Sequence, residues 1–158
     1  MNASILVVEE SVVTSLAICR LIEDICPGCR IRRAQSCFEA RLLLRVYEFQ
    51  LSVVDVHLPD GNGLELVPDL LDSNPAANIV VLTGGPLLEN SDPSLALGVH
   101  RFLTKPLSAI TLQEAVRTSL PSVQDHPEDG RFTASLRGLS VLDVIQIREL
   151  RFSRTPIW

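Results

Sequence analysis

One pattern constrains the fold more than any other: a short apolar run that ends in a polar residue, followed by a helical stretch, repeated along the chain. The clear runs are Ile5–Val8, Leu51–Val54 and Ile79–Leu82, with weaker ones at Arg30–Ala34 and Arg101–Leu103. Apolar residues in unbroken succession describe strands covered on both faces, as in a parallel sheet between helices. Between the runs, Ser11 to Ile25 carries apolar residues at 12, 13, 16, 18, 21, 22 and 25. Ser36 to Tyr47 opens with Ser36 and Glu39 in capping-box spacing. Leu64 to Leu71 follows a glycine-rich turn, and Leu107 to Leu120 follows Pro106. Strict alternation predicts a doubly wound α/β domain over residues 1–120, with five parallel strands and helices on both faces. Gly84, Gly85, Pro86, Pro93 and Gly98 leave room only for a short helix at 93–97.

In open parallel sheets the ligand site lies just beyond the carboxyl ends of the strands. There the sequence places Glu9 and Glu10, then Asp55, Thr83 and Lys105. Each residue alone has an ordinary explanation: an aspartate after a strand often caps a turn, and a lone lysine is usually a solvated charge. Their joint placement at one edge is what points to chemistry. Clustered carboxylates repel one another unless a cation sits among them, and a hard divalent ion takes oxygen ligands. An ammonium and a hydroxyl beside it suit a phosphoryl group. Lys105 is the only lysine, against thirteen arginines.

Charge and composition exclude other classes. Net charge is −5 and the 14 basic residues are scattered, so direct nucleic-acid binding is not expected. No apolar run approaches the ~20 residues of a membrane helix, and Glu9 and Glu10 interrupt the only candidate for a signal peptide. A cytoplasmic location is the expectation. Cys26 and Cys29 have redox-motif or zinc-knuckle spacing. They follow a helix and precede a strand, however, so the helix N-terminal activation of thioredoxin-like thiols is missing. Cys19 reads as a small buried hydrophobe.

At the strand-end residues the chain resembles the receiver domain of bacterial two-component response regulators. VVEES resembles the acidic doublet after the first strand. LSVVDVHLPDGNGLEL resembles the phosphoacceptor segment, with Asp55 as acceptor and Pro59 and Gly61 or Gly63 shaping the loop. VVLTGG offers Thr83 as the switch hydroxyl. RFLTKPL offers Lys105 before Pro106, a bond usually cis in the family, and Phe102 at the aromatic switch position. The resemblance covers residues 4 to 120.

It implies a flavodoxin-like sheet of order 2-1-3-4-5 and a phosphoprotein working in phosphorelay signal transduction, not a turnover enzyme. Asp55 would take its phosphoryl group from a sensor histidine kinase or phosphotransfer protein. Mg²⁺ would be held by Glu9, Glu10, Asp55 and the backbone carbonyl of His57. Lys105 and Thr83 would engage the phosphoryl oxygens and Phe102 would turn inward. That would alter the surface of the fourth helix, fifth strand and fifth helix; a second copy of the chain is among the partners allowed. Glu10 departs from the aspartate usual in the family, and Mg²⁺ demands near-octahedral ligands at ~2.0–2.1 Å. Either the site rearranges or metal affinity falls. The alternative is a phosphate-independent pseudo-receiver serving as a protein-interaction scaffold. A haloacid-dehalogenase-type phosphatase fits poorly, since it wants a second aspartate where His57 stands.

After Leu120 the character changes. Residues 121–131, PSVQDHPEDGR, read as a linker. In 132–158, Phe132, Ala134 and Leu136 alternate like a strand, and the spacing of Ser140 and Asp143 predicts a capped helix to Leu150. This resembles the opening of a PATAN-type domain. Such a domain needs roughly 100 residues, so the segment is expected to be either a truncated output domain or an amphipathic arm. An arm would pack Val141, Val144, Ile145 and Ile147 on the receiver or on a second copy. Residues 132–158 alone are not expected to form a helix-turn-helix output domain.

Overall fold

The computed structural model describes residues 3–85 and 97–120. Residues 93–96 of the expected short helix, the linker and the C-terminal segment lie outside the described residues. The elements run β1 (Ser4–Val8), α1 (Val12–Ile25), β2 (Arg30–Ala34), α2 (Cys37–Leu44) and β3 (Leu51–Asp55). Two-residue strands β4 (His57–Leu58) and β5 (Gly61–Asn62) follow, then a 3₁₀ turn (Gly63–Glu65) leading into α3 (Leu66–Ser73). The last elements are β6 (Asn78–Thr83), β7 (Arg101–Thr104) and α4 (Ala109–Ser119). Five strands form one parallel sheet in the order β2-β1-β3-β6-β7. With the small β4–β5 pair set aside, this is the expected order 2-1-3-4-5.

Each strand end follows from its place in the sheet. The central strands β1 and β3 are fully buried from Ile5 to Val8 and from Leu51 to Val54, as unbroken apolar runs require. β2 lies at an edge, which explains its three arginines; the Arg32 guanidinium sits 3.6 Å over the Tyr47 ring. Side chains alternate between two cores. Leu6, Val8, Val54, Ile79 and Val81 pack with α2 and α3. Ile5, Val7, Leu51, Val53, Val80, Leu82 and Leu103 pack with α1 and α4.

The antiparallel pair β4–β5 was not expected from the sequence. Two residues are too few for an alternation to register, and the ribbon is set by the Pro59–Asp60 corner between its strands. The loop is strapped outward as well. Asp60 accepts from the N–H groups of Cys37 and Phe38, both at 2.8 Å, at the start of α2. Ser36 Oγ accepts from Glu39 N (3.1 Å), which completes that N-terminus. The Glu39 carboxylate reaches back to Gln35 N (2.8 Å), one residue before the cap that a capping box predicts.

Candidate functional site

Three of the expected residues meet at the carboxyl edge of the sheet. Lys105 Nζ donates to Glu9 Oε2 (2.8 Å) and to Asp55 Oδ2 (2.6 Å). Glu9 is 3 % exposed and Asp55 4 %, so both carboxylates are withdrawn from water, whereas the lysine head is partly exposed. A backbone N–H two residues on fixes the other oxygen of each acid. Ser11 N donates to Glu9 Oε1 (2.9 Å), and His57 N donates to Asp55 Oδ1 (3.0 Å). Burial pushes the Lys105 ammonium down, but the hydrogen bonds and negative charge of Asp55 and Glu9 outweigh it, and the lysine is held above its ordinary value. It is charged throughout the neutral range.

The period of the strand explains why these three meet. In the core facing α1 and α4, Val7 precedes Glu9, Val53 precedes Asp55 and Leu103 precedes Lys105, each by two residues. Glu9 keeps this register because its N–H still donates to Ala34 O (3.0 Å). Lys105 is kept in line by its own N–H to Thr83 O (2.7 Å), and the Lys105–Pro106 peptide bond is cis, as expected.

Other expected members stand apart. Glu10 is exposed. The chain leaves the sheet there and enters α1 through the Ser11 cap, whose hydroxyl accepts from Thr14 N. The resemblance implies metal-side roles for both glutamates; of the two, Glu9 is buried beside Asp55 and Glu10 faces outward. Alternation from Ile5 and Val7 was the signal that singles out Glu9. Among the described residues no group of three or more His, Cys, Asp or Glu side chains is arranged to hold a metal ion. Of the expected set, Glu9 and Asp55 meet at Lys105, and Glu10 lies outside that contact.

Thr83 is buried, but its hydroxyl closes a local turn, donating to Gly85 O (2.8 Å) and accepting from Gly85 N (3.3 Å). Phe102 lies on edge strand β7 and is 39 % exposed, so the ring is outward. The His57 side chain is exposed and only its backbone N–H touches the site. Gly63 closes the loop beneath Asp55, with its N–H donating to Val56 O (2.8 Å). A Cβ there would fall 1.9 Å from Asp55 O, so only glycine fits.

Mg²⁺ commonly binds through one or two carboxylates and keeps several waters. Glu9 and Asp55 already converge on a single cationic centre, and that donor set fits a hard cation. None of the described helices is long and apolar enough to cross a membrane.

Residues 5–117 match the family model for the response regulator receiver domain. The response regulator protein PilR of Pseudomonas aeruginosa is 33 % identical over 131 residues, covering 80 % of this chain and 29 % of PilR. The photosynthetic apparatus regulatory protein RegA of Cereibacter sphaeroides is 27 % identical over 128 residues, covering 81 % of this chain and 70 % of RegA. The chain thus spans less than a third of PilR. A response regulator from Burkholderia pseudomallei, solved with a phosphorylated aspartic acid, calcium ion and citrate, superposes with a TM-score of 0.60 at 29 % identity. That match covers 74 % of this chain and 68 % of the other. The chemotaxis response regulator CheY4 of Vibrio cholerae shares the fold, with a TM-score of 0.66 at 23 % identity over 76 % of this chain and all of CheY4.

Proposed function

Because the chain belongs to the response regulator receiver domain family, we propose that it is a phosphorylation-controlled switch whose phosphoacceptor is Asp55. The observation that carries this reading is the shared contact of Lys105 Nζ with the buried carboxylates of Asp55 and Glu9. A strand-end carboxylate held on an ammonium is a positioned nucleophile with a counter-charge ready for the incoming phosphoryl oxygens. The donor is a phosphohistidine on a sensor histidine kinase or phosphotransfer protein, encountered in the cytoplasm. An Asp55 oxygen forms the new O–P bond as the P–N bond breaks, and the imidazole leaves.

Each neighbouring residue has a task in this scheme. His57 N–H holds Asp55 Oδ1 and so orients the carboxylate. Lys105 follows the charge from the carboxylate to the phosphoryl oxygens. Glu9, Asp55 and the His57 backbone carbonyl would hold Mg²⁺, with Glu10 joining only through a rotamer change. The bound ion would supply positive charge to the phosphoryl oxygens. Thr83 must exchange its bonds to Gly85 for one to the phosphoryl group. Phe102 then turns from solvent into the space Thr83 leaves, altering the surface around β7 and α4. The chain is a phosphoacceptor, not a turnover enzyme.

The exposure of Glu10 favours a second reading, a scaffold that no longer takes phosphate. Intact mass after incubation with acetyl phosphate, with and without Mg²⁺, decides between them. The switch reading expects a Mg²⁺-dependent phosphoryl adduct that is absent in Asp55→Asn. No adduct with Mg²⁺, Mn²⁺ or a kinase donor leaves only the scaffold.

A further inference from the structure

The turn between α1 and β2 lies at the opposite end of the sheet from Asp55 and carries both partly exposed cysteines. Cys26 caps α1, donating its N–H to Ile22 O (2.9 Å), and Cys29 N–H donates to Cys26 O (3.1 Å). Between them stand Pro27 and Gly28, the latter at φ 86°. Proline second and a positive-φ glycine third make the type II turn pattern, whose end Cα atoms lie within ~7 Å. A disulfide spans Cα separations of ~4.4–6.8 Å. Cys19 and Cys37, in contrast, are buried in separate cores on opposite faces of the sheet.

We propose that Cys26 and Cys29 form a reversible disulfide within this turn, making it a thiol–disulfide modification site independent of the phosphoacceptor. The oxidant is a low-molecular-weight disulfide of the glutathione class. One cysteine thiolate attacks a sulfur of that disulfide; its S–S bond breaks, a mixed disulfide forms, and one glutathione leaves with the proton. The second cysteine attacks the protein sulfur of the mixed disulfide, the Cys26–Cys29 bond forms, and a second glutathione leaves. Two cysteines are oxidised and one glutathione disulfide is reduced.

The closing step is favoured because the turn already holds the two residues' backbones at the close separation a disulfide spans. The opening step is slow. Burial, then the charge and hydrogen bond of Cys26 and the charge of Glu23, push the Cys29 thiol up to about 12. The pair sits at the end of α1, where no helix N-terminus activates it. These features describe a site oxidised by equilibration with its surroundings, not an oxidoreductase. Once closed, the bridge ties the end of α1 to the start of β2.

The test uses the full chain incubated with glutathione disulfide, acid-quenched, unfolded and alkylated. Trypsin isolates residues 21–30 as one peptide holding both cysteines and neither of the others. The expected result is the loss of two of the four alkylatable thiols and a 21–30 peptide lighter by two hydrogen atoms, reversed by reductant. In Cys26→Ser and Cys29→Ser the remaining cysteine should stop as the mixed disulfide. Four free thiols in the wild-type chain, a persistent wild-type mixed disulfide, or a bridge through Cys19 or Cys37 would each overturn the proposal. The wild-type result decides it even if a variant folds poorly.

Discussion

Replacing Lys105 by methionine removes the one cation that two buried carboxylates share. Glu9 Oε2 and Asp55 Oδ2 each touch Nζ, so they are separated by no more than about 5.4 Å. At that distance, with an effective dielectric near 20, two unit charges repel by about 3 kcal/mol. Removing one partner of a buried ion pair typically costs ~3–5 kcal/mol. The lysine side chain is 29 % exposed, so water can reach the vacated space, and a loss of about 2–3 kcal/mol is expected near neutral pH. With a urea slope of ~1–3 kcal/mol per molar, the unfolding midpoint should fall by about 0.7–3 M, read by far-ultraviolet circular dichroism. The folded-state lysine is raised above its ordinary 10.5, so its contribution is complete below pH 10.5 and disappears as pH rises through the raised value. The gap between wild type and Lys105→Met should therefore hold to about pH 10 and close above it. Equal stability at pH 7, or a gap already closed at pH 9, would refute the reasoning.

Three further perturbations test the scaffold around the site. Gly63→Ala drives a methyl into the Asp55 carbonyl, a backbone obstacle, and should cost about 3 kcal/mol or more in thermal or urea unfolding. Ser52→Ala removes a fully buried hydroxyl with no hydrogen-bond partner and should stabilise the chain by about 1 kcal/mol in the same assay. Asp60→Ala should destabilise by about 0.5–1 kcal/mol at neutral pH, the low end for a cap because the carboxylate is exposed. Burial raises the Asp60 carboxyl, but the N–H groups of Phe38 and Cys37 outweigh it and hold it below 3.8. Its contribution is present above pH 3.8 and fades as pH falls through the depressed value, so acid titration of the two chains should converge.

The sheet was legible because its physics is carried by unbroken runs. Ile5–Val8, Leu51–Val54 and Ile79–Leu82 admit few alternatives, and the strand ends then place Asp55, Thr83 and Lys105 without reference to any side-chain geometry. Less legible was which carboxylate of the doublet turns inward. That depends on whether β1 pairing continues one residue past Val8, a hydrogen bond from Glu9 to Ala34 that no local propensity encodes. The strap from Asp60 to α2 was equally hidden, since it joins positions 23 and 22 residues apart through backbone donors. Thr83 was identified correctly as a strand-end hydroxyl. Its engagement by Gly85 is a property of the glycine pair that follows, and under the proposed switch this bond would have to break before Thr83 reached a phosphoryl group.

The central claim is that Asp55 itself carries the phosphoryl group, and chemical trapping reads this directly. The chain is incubated with acetyl phosphate and Mg²⁺, reduced with borohydride, digested, and the modified position located by mass spectrometry. Borohydride converts an aspartyl phosphate to homoserine and leaves free carboxylates unchanged. The account predicts homoserine at position 55 and at no other acid. Homoserine at position 60, a reduced glutamate at position 9, or an unmodified chain after full Mg²⁺ treatment would contradict it.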